Sequence, residues 1–397
     1  MKLKPLWEAD FAGNLRFIWL MGLLWLNGHT GQAQNATAKS NFEKGEIELH
    51  VGDFKKALQY YSLAIASFPR YRQAYFSRGK AQVHLQKYKE ARQDFAQCLR
   101  LDSSFVEAFF YLGAISYQEN NYEEAISFFD QAIARQPNYG IAYNYRAESY
   151  RELGLNQAAI TDYTEAIRCQ PQNATLFYGR GRCFLEIEHY IQAIEDFSEA
   201  IRLEPRKIEY HRFRSESFFL KGQYAQAAQD LAWISKHFPE MFEVYEWRLL
   251  AFCQAQTQDF LGAVASLSQV LAKTPSDAEA WAERGENYGK LQQTEAALHD
   301  FEKAKSLATD NPAYDWAIGQ LLLQKKSYQA AIPALQQARQ AYPEQAEIWY
   351  GLGAAYYHLH QKTEARWYLM EAARRQYPAE KMAAALYRLA KKGYKKP

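Results

Sequence analysis

The sequence predicts an all-α repeat array: a solenoid of ten helix-turn-helix units followed by a capping helix. Three observations predict it. Pro137, Pro171, Pro205 and Pro239 are each 34 residues apart, and Pro69 lies two such periods before Pro137. An alanine recurs on the same period at Ala57, Ala91, Ala125, Ala159, Ala193, Ala227, Ala263, Ala297, Ala331 and Ala365. Within each period the apolar residues form two stretches of about 13 residues at helical spacing.

Cutting on the period gives units 38–71, 72–105, 106–139, 140–173, 174–207, 208–241, 242–277, 278–311, 312–345 and 346–379. Their eighth place is small: Gly45, Gly79, Gly113, Ala147, Gly181, Ser215, Gly285, Gly319 and Gly353, with Leu249 as the exception. The twenty-fourth place is large, as in Tyr61, Phe95, Phe129, Tyr163, Phe197 and Phe301. Small residues at places 8 and 20 let two helix backbones approach, and the large residue fills the space beside them. The proline stops the second helix, because it lacks an N–H and restricts the residue before it. One helix pair cannot bury its apolar face alone, so neighbours stack. Met382, Leu386 and Leu389 sit at helical spacing and predict a capping helix over 380–397.

These columns resemble the tetratricopeptide repeat family across residues 38–379, most fully in the third unit, VEAFFYLGAISYQENNYEEAISFFDQAIARQPNY. The resemblance implies a right-handed superhelix whose concave face is lined mainly by the first helix of each unit. It also implies a non-enzymatic scaffold that binds a protein or peptide segment in that groove.

A second pattern lies inside the repeat. Place 7 is Arg in Arg78, Arg146, Arg180, Arg214, Arg248 and Arg284, and place 23 is Asp in Asp94, Asp162, Asp196, Asp230 and Asp300. Those five aspartates belong to units that carry the arginine, which predicts a partly buried Arg–Asp pair within a unit or between touching units. Arg248 is left over, opposite Ser266, in a unit with a two-residue insertion assigned near Gln254–Gln258. Larger residues at close-contact places, Leu249, Ile234 and Val270, predict a change of curvature around 230–275. The array then splits into 38–241 and 242–379.

Residues 1–33 read as a secretory signal, with Lys2, Lys4 and Arg16 before the apolar run Phe17–Leu26 and a small-residue cleavage site ending at Ala33. Residues 34–37 are a short linker. About ten apolar residues are half of what a membrane-spanning helix needs. The expectation is an exported protein, periplasmic or secreted. The other reading is an envelope assembly subunit tethered by an uncleaved anchor. The net charge of +2 gives no global basic field for nucleic acid. The end is basic: Arg374, Arg375, Lys381, Arg388, Lys391, Lys392, Lys395 and Lys396 stand against Glu380. That tail suits contact with a membrane or an anionic envelope polymer.

No nucleophile elbow, HExxH, CxxC or Walker-type loop is present, so no catalytic residue, metal or cofactor is expected. His358 and His360 are two residues apart on a helix and do not face one side. The 4 cysteines are expected to be free, buried thiols. Family resemblance puts ligand contacts on first-helix places 2, 5, 6, 9, 12 and 13. Carried onto this chain, they give the candidate partner-binding residues Phe76, Phe110, Tyr111, Tyr145, Tyr178, Arg182, Phe213 and Trp247. Rigid aromatics and arginine are the usual anchors of protein interfaces. The family's clamp for chaperone tails needs Asn at place 9, which no unit has.

Overall fold

The computed structural model describes residues 35–391. Among them every regular element is helical, and the helices pair. The chain divides into two compact units, Met1–Glu204 and Pro205–Pro397. In the first lie α1 (35–51) with α2 (Phe54–Ser67), α3 (Arg72–His84) with α4 (Tyr88–Leu101), α5 (Val106–Gln118) with α6 (Tyr122–Arg135), α7 (Gly140–Glu152) with α8 (Asn156–Cys169), and α9 (Ala174–Glu186) with α10 (Tyr190–Leu203). In the second lie α11 (Ile208–Leu220) with α12 (Tyr224–His237), α13 (Val244–Gln256) with α14 (Phe260–Lys273), α15 (Ala278–Lys290) with α16 (Thr294–Leu307), α17 (Pro312–Gln324) with α18 (Tyr328–Ala341), α19 (Ala346–His358) with α20 (Lys362–Arg374), and the single α21 (Ala384–Lys391). The expected signal, 1–33, lies outside the described residues, and α1 already includes residues 35–37, read above as linker.

The pairing of helices follows from places 8 and 24. A Cβ added to Gly79 would lie 2.7 Å from the Phe95 ring, and one on Gly113 2.6 Å from Phe129. Gly181 meets Phe197 at 2.8 Å, Gly319 meets Leu335 at 2.5 Å and Gly353 meets Leu369 at 2.7 Å in the same way. The ring therefore occupies the volume a side chain would take, and the helices close onto each other. Phe95, Phe129 and Phe197 are fully buried, as are all ten alanines at place 20. Each such ring contributes about 1.5–3 kcal/mol by burial.

The turn inside each pair is fixed by backbone, not by composition. Gly52, Gln86, Asn120, Gly154, Glu188, Gly222, Gln258, Gln292, Lys326 and His360 all have φ between 57° and 86°. The next N–H reaches back to the last helical turn: Asn121 donates to the Ser116 carbonyl at 2.8 Å, and Gln293 to Tyr288 at 2.9 Å. This is a Schellman closure repeated in every unit. Only three of the ten are glycine, so the sequence does not mark the turn.

The Arg–Asp columns form the predicted pairs. Arg78, Arg146, Arg180, Arg214 and Arg284 each donate through Nε and Nη2 to both oxygens of Asp94, Asp162, Asp196, Asp230 and Asp300, at 2.6–2.9 Å. The third nitrogen binds the preceding pair. Nη1 of Arg78 donates to Ser62, that of Arg180 to Thr164 and that of Arg284 to Ser268, at 3.0–3.1 Å, and that of Arg146 to Asp130. One guanidinium thus ties three helices.

The two-residue insertion is in a different place from the one expected. α13 has 13 residues and its turn is of ordinary length, whereas the linker before it, 238–243, is two residues longer than the one at 204–207 and holds the 3-10 turn Pro239–Met241. The register of this unit's first helix shifts by two. Leu250 takes place 7 opposite Ser266, and Ala251 takes place 8 against Leu267. The columns are regular after all, and Arg248 falls at place 5 on the open face.

At the other end, Met382, Leu386 and Ala390 are buried and pack with Leu369, and Leu389 is partly buried beside them. The capping helix is therefore present. Two of the basic residues near it serve the fold. Arg375 lies 4.0 Å over the Trp349 ring and donates to the Pro343 carbonyl at 2.8 Å, and Arg374 pairs with Glu371. Lys392, Lys395 and Lys396 lie outside the described residues.

Candidate functional site

The first helices carry the candidate residues, and in the first compact unit many of them meet. Phe76 packs edge-on to Phe105 at 5.0 Å and to Tyr111 at 5.4 Å, while Tyr111 stacks on Phe95 at 5.2 Å. Phe110 packs edge-on to Tyr145 at 5.3 Å. Arg182 lies over Tyr178 at 5.7 Å. Phe110 is buried and the other seven candidates are half-buried, so each ring spends one face on the seam between helices. Phe110, Tyr111 and Tyr145 also line one cleft of about 360 Å³ with Val83 and Ile141. Phe213 and Trp247 lie in the second compact unit. Trp247 sits at place 4 of its helix and stands edge-on to Phe242 at 4.8 Å.

Place 9 shows how the repeat uses polar groups. Where place 24 is Tyr, its hydroxyl donates to the Glu at place 9: Tyr61 to Glu46 at 2.7 Å, and Tyr163 to Glu148. Burial and the neighbouring carboxylate push both phenols up. Glu148 also accepts from Arg151 at 2.9 Å. These glutamates close the fold and are not open to a partner. Glu286 also holds place 9, but faces Phe301, which has no hydroxyl. It pairs with no cation among the described residues. Lost solvation and the charge of Glu283 push its carboxyl up.

The first-helix face is more open over α13 than along α3 to α9, and the shifted register hid this from the sequence. Places 2, 5, 6 and 9 there are Tyr245, Arg248, Leu249 and Phe252, and they line a cleft of about 620 Å³ with Glu283 and Glu286. An adjoining cleft of about 390 Å³ shares Tyr245 and Leu249 and adds Phe219 and Leu220. Tyr245 is 60%, Leu220 48% and Phe252 45% exposed, well above the stripe in α3 to α9. Moving the insertion to 238–243 is the one step that would have found them.

Among the described residues no group of three or more His, Cys, Asp or Glu could hold a metal. His360 is the left-handed residue after α19, and His358 stacks on Tyr328 at 4.4 Å. All four cysteines are free. Cys98, Cys183 and Cys253 are buried, while Cys169 is only half-buried, against the expectation of four buried thiols. No helix among the described residues is long and apolar enough to cross a membrane.

Helix pairs in register, small residues against rings and an open first-helix face define an α-solenoid repeat protein. Residues 42–104, 76–140, 117–174, 144–207, 283–343 and 316–381 match the tetratricopeptide repeat. Together they span 42–207 and 283–381, more than half of the 397 residues, and the chain belongs to the tetratricopeptide repeat family. Such repeats mediate protein–protein interactions and generally form non-enzymatic scaffolds. No curated protein matches the sequence significantly. Among solved structures, it is similar to the C-terminal part of a TPR repeat-containing protein from Cytophaga hutchinsonii, at 18% identity over 60% of this chain and 97% of that one, with a TM-score of 0.51. It is also similar to PilW, titled a widely conserved type IV pilus biogenesis factor, at 18% identity over 52% of this chain and 95% of that one, with a TM-score of 0.46. YrrB, titled a TPR protein with an unusual peptide-binding site, is 21% identical over 43% of this chain and 88% of that one, with a TM-score of 0.38. These likenesses concern the fold alone.

Proposed function

We propose that this protein is a scaffold of the cell envelope that binds a partner protein or peptide segment along its first-helix face, the concave one in the family's superhelix. The observation that carries the reading is the clefts of that face. They are floored by aromatic and aliphatic side chains, one over α5 and α7 and a larger one over α13. Clefts with an apolar floor and polar groups at the rim suit side-chain anchors of a peptide. The signal-like pattern of residues 1–33 supports export to the periplasm or beyond.

The test is a crosslinking pull-down from native envelope fractions. Wild type is compared with a Tyr145→Ala, Tyr178→Ala, Arg182→Ala variant and with a Tyr245→Ala, Phe252→Ala variant, each required to match the parental helicity and melting. A partner captured by wild type and lost in either variant supports the reading. Capture unchanged in both moves binding off the first-helix face and refutes it. Intact mass of the purified chain tests export separately, since cleavage after Ala33 removes the first 33 residues.

A further inference from the structure

The cleft over α13 differs from the rest of the first-helix face in charge as well as exposure. Arg248 donates to Glu283 at 3.1 Å and to Asp277 and Glu279 at 3.3 Å each. With Glu286 added, four carboxylates stand around one guanidinium, a balance of −3 that Lys290 reduces to −2, and of the four Glu283 and Glu286 line the cleft itself. Three of those carboxylates share Arg248. Glu286 has neither that cation nor the tyrosine hydroxyl that holds Glu46 and Glu148 in the equivalent place. Lys290, one turn further along α15, offsets it only through space. Beside this carboxylate lie Tyr245, Leu249 and Phe252, an apolar floor open to solvent.

An apolar floor wants an apolar side chain, and the acidic rim wants a cation close to it. We propose that this cleft seats an apolar side chain of a partner segment that also carries lysine or arginine, the apolar group on Tyr245, Leu249 and Phe252 and the cation on Glu286. The proposal rests on the first-helix face being a protein-binding surface and names the chemistry of what it takes there. Such a cation relieves the repulsion between Glu286 and Glu283, and it disfavours acidic segments by the same charge. Arg248 stays with its three carboxylates and shapes one wall.

Three labelled synthetic peptides of equal length test this on the full chain by fluorescence anisotropy. One alternates leucine with lysine, one leucine with glutamate, and one serine with lysine. The leucine–lysine peptide is expected to bind about tenfold more tightly than either of the others. Glu286→Lys and Tyr245→Ser, both at exposed positions, are each expected to weaken it about tenfold. Ile191→Ser, exposed on a second helix, leaves it unchanged. Equal binding of all three peptides, binding of none, or unchanged affinity in both cleft variants overturns the proposal. A chain that captures its partner through α5 and α7 yet ignores these peptides keeps the broader reading and sinks this one.

Discussion

Replacing Arg180 with leucine should destabilise the first compact unit far more than replacing it together with Asp196. In the wild type, Asp196 is 5% exposed and accepts 2.8 Å and 2.7 Å hydrogen bonds from Arg180. No other donor reaches it among the hydrogen bonds observed. Arg180→Leu therefore leaves a buried carboxylate unpaired and also removes the contact with Thr164. Losing one partner of a buried pair costs about 3–5 kcal/mol. The double variant Arg180→Leu, Asp196→Leu removes the stranded charge as well. The fold already accepts apolar residues there, as in Leu112 with Phe128, Ile318 with Ala334 and Leu352 with Tyr368. It should lie within about 1.5 kcal/mol of wild type.

Acid gives a second readout of the same pair. Burial pushes the Asp196 carboxyl up, and Arg180 pulls against that. A folded value above the unfolded one means that the native state keeps a proton the unfolded chain has lost. Stability then falls as pH rises through that window. Without Arg180 the window widens. The deficit of the single variant should be full at neutral pH and shrink on acidification, as the stranded carboxylate takes up a proton. Urea unfolding followed by circular dichroism measures both effects, with the single variant's midpoint lower by roughly 1–2 M. A single variant that unfolds with the wild type, or a double variant as weak as the single, refutes the pairing argument.

Further outcomes follow from local geometry. Gly181→Ala, whose Cβ would stand 2.8 Å from Phe197, should cost about 1–3 kcal/mol in thermal unfolding. Gly285→Ala, with its nearest atoms at 3.1 Å, should cost visibly less. Lys326→Gly, at a left-handed position with φ 63°, should stabilise the chain by about 1 kcal/mol, and Gly222→Ala at φ 78° should do the reverse. Burial pushes the thiols of Cys98 and Cys183 up to about 12 and that of Cys253 to about 11. Alkylation of the native protein followed by peptide mass mapping should therefore modify Cys169 first.

What could be read from the sequence was whatever depends on one residue column facing another. Gly181 against Phe197 and Arg180 against Asp196 recur at fixed separations, so the period itself exposed them. The left-handed turns were hidden because Gln86, Asn120 and Lys326 adopt φ values near 60° without being glycine. The Schellman hydrogen bonds hold them there. The site was legible only in part. Linker and turn are both polar and irregular, so nothing local distinguished an insertion at 254–258 from one at 238–243. Only Leu250 and Ala251 falling back into their columns could decide it. Nor does a stripe of rings say which face of each is buried, because Phe76 and Tyr111 find their partners in the adjacent helix pair.

The central claim is that a partner lies on the first helices. Its most direct test is to install a photocrosslinking residue one position at a time and irradiate in native envelope fractions. Tyr245 and Ile141 serve as first-helix positions, and Ile191 and Leu261 as second-helix positions, all of them exposed. Crosslinks to one partner from 245 or 141, and none from 191 or 261, are the predicted result. Crosslinks confined to the second-helix positions would contradict it.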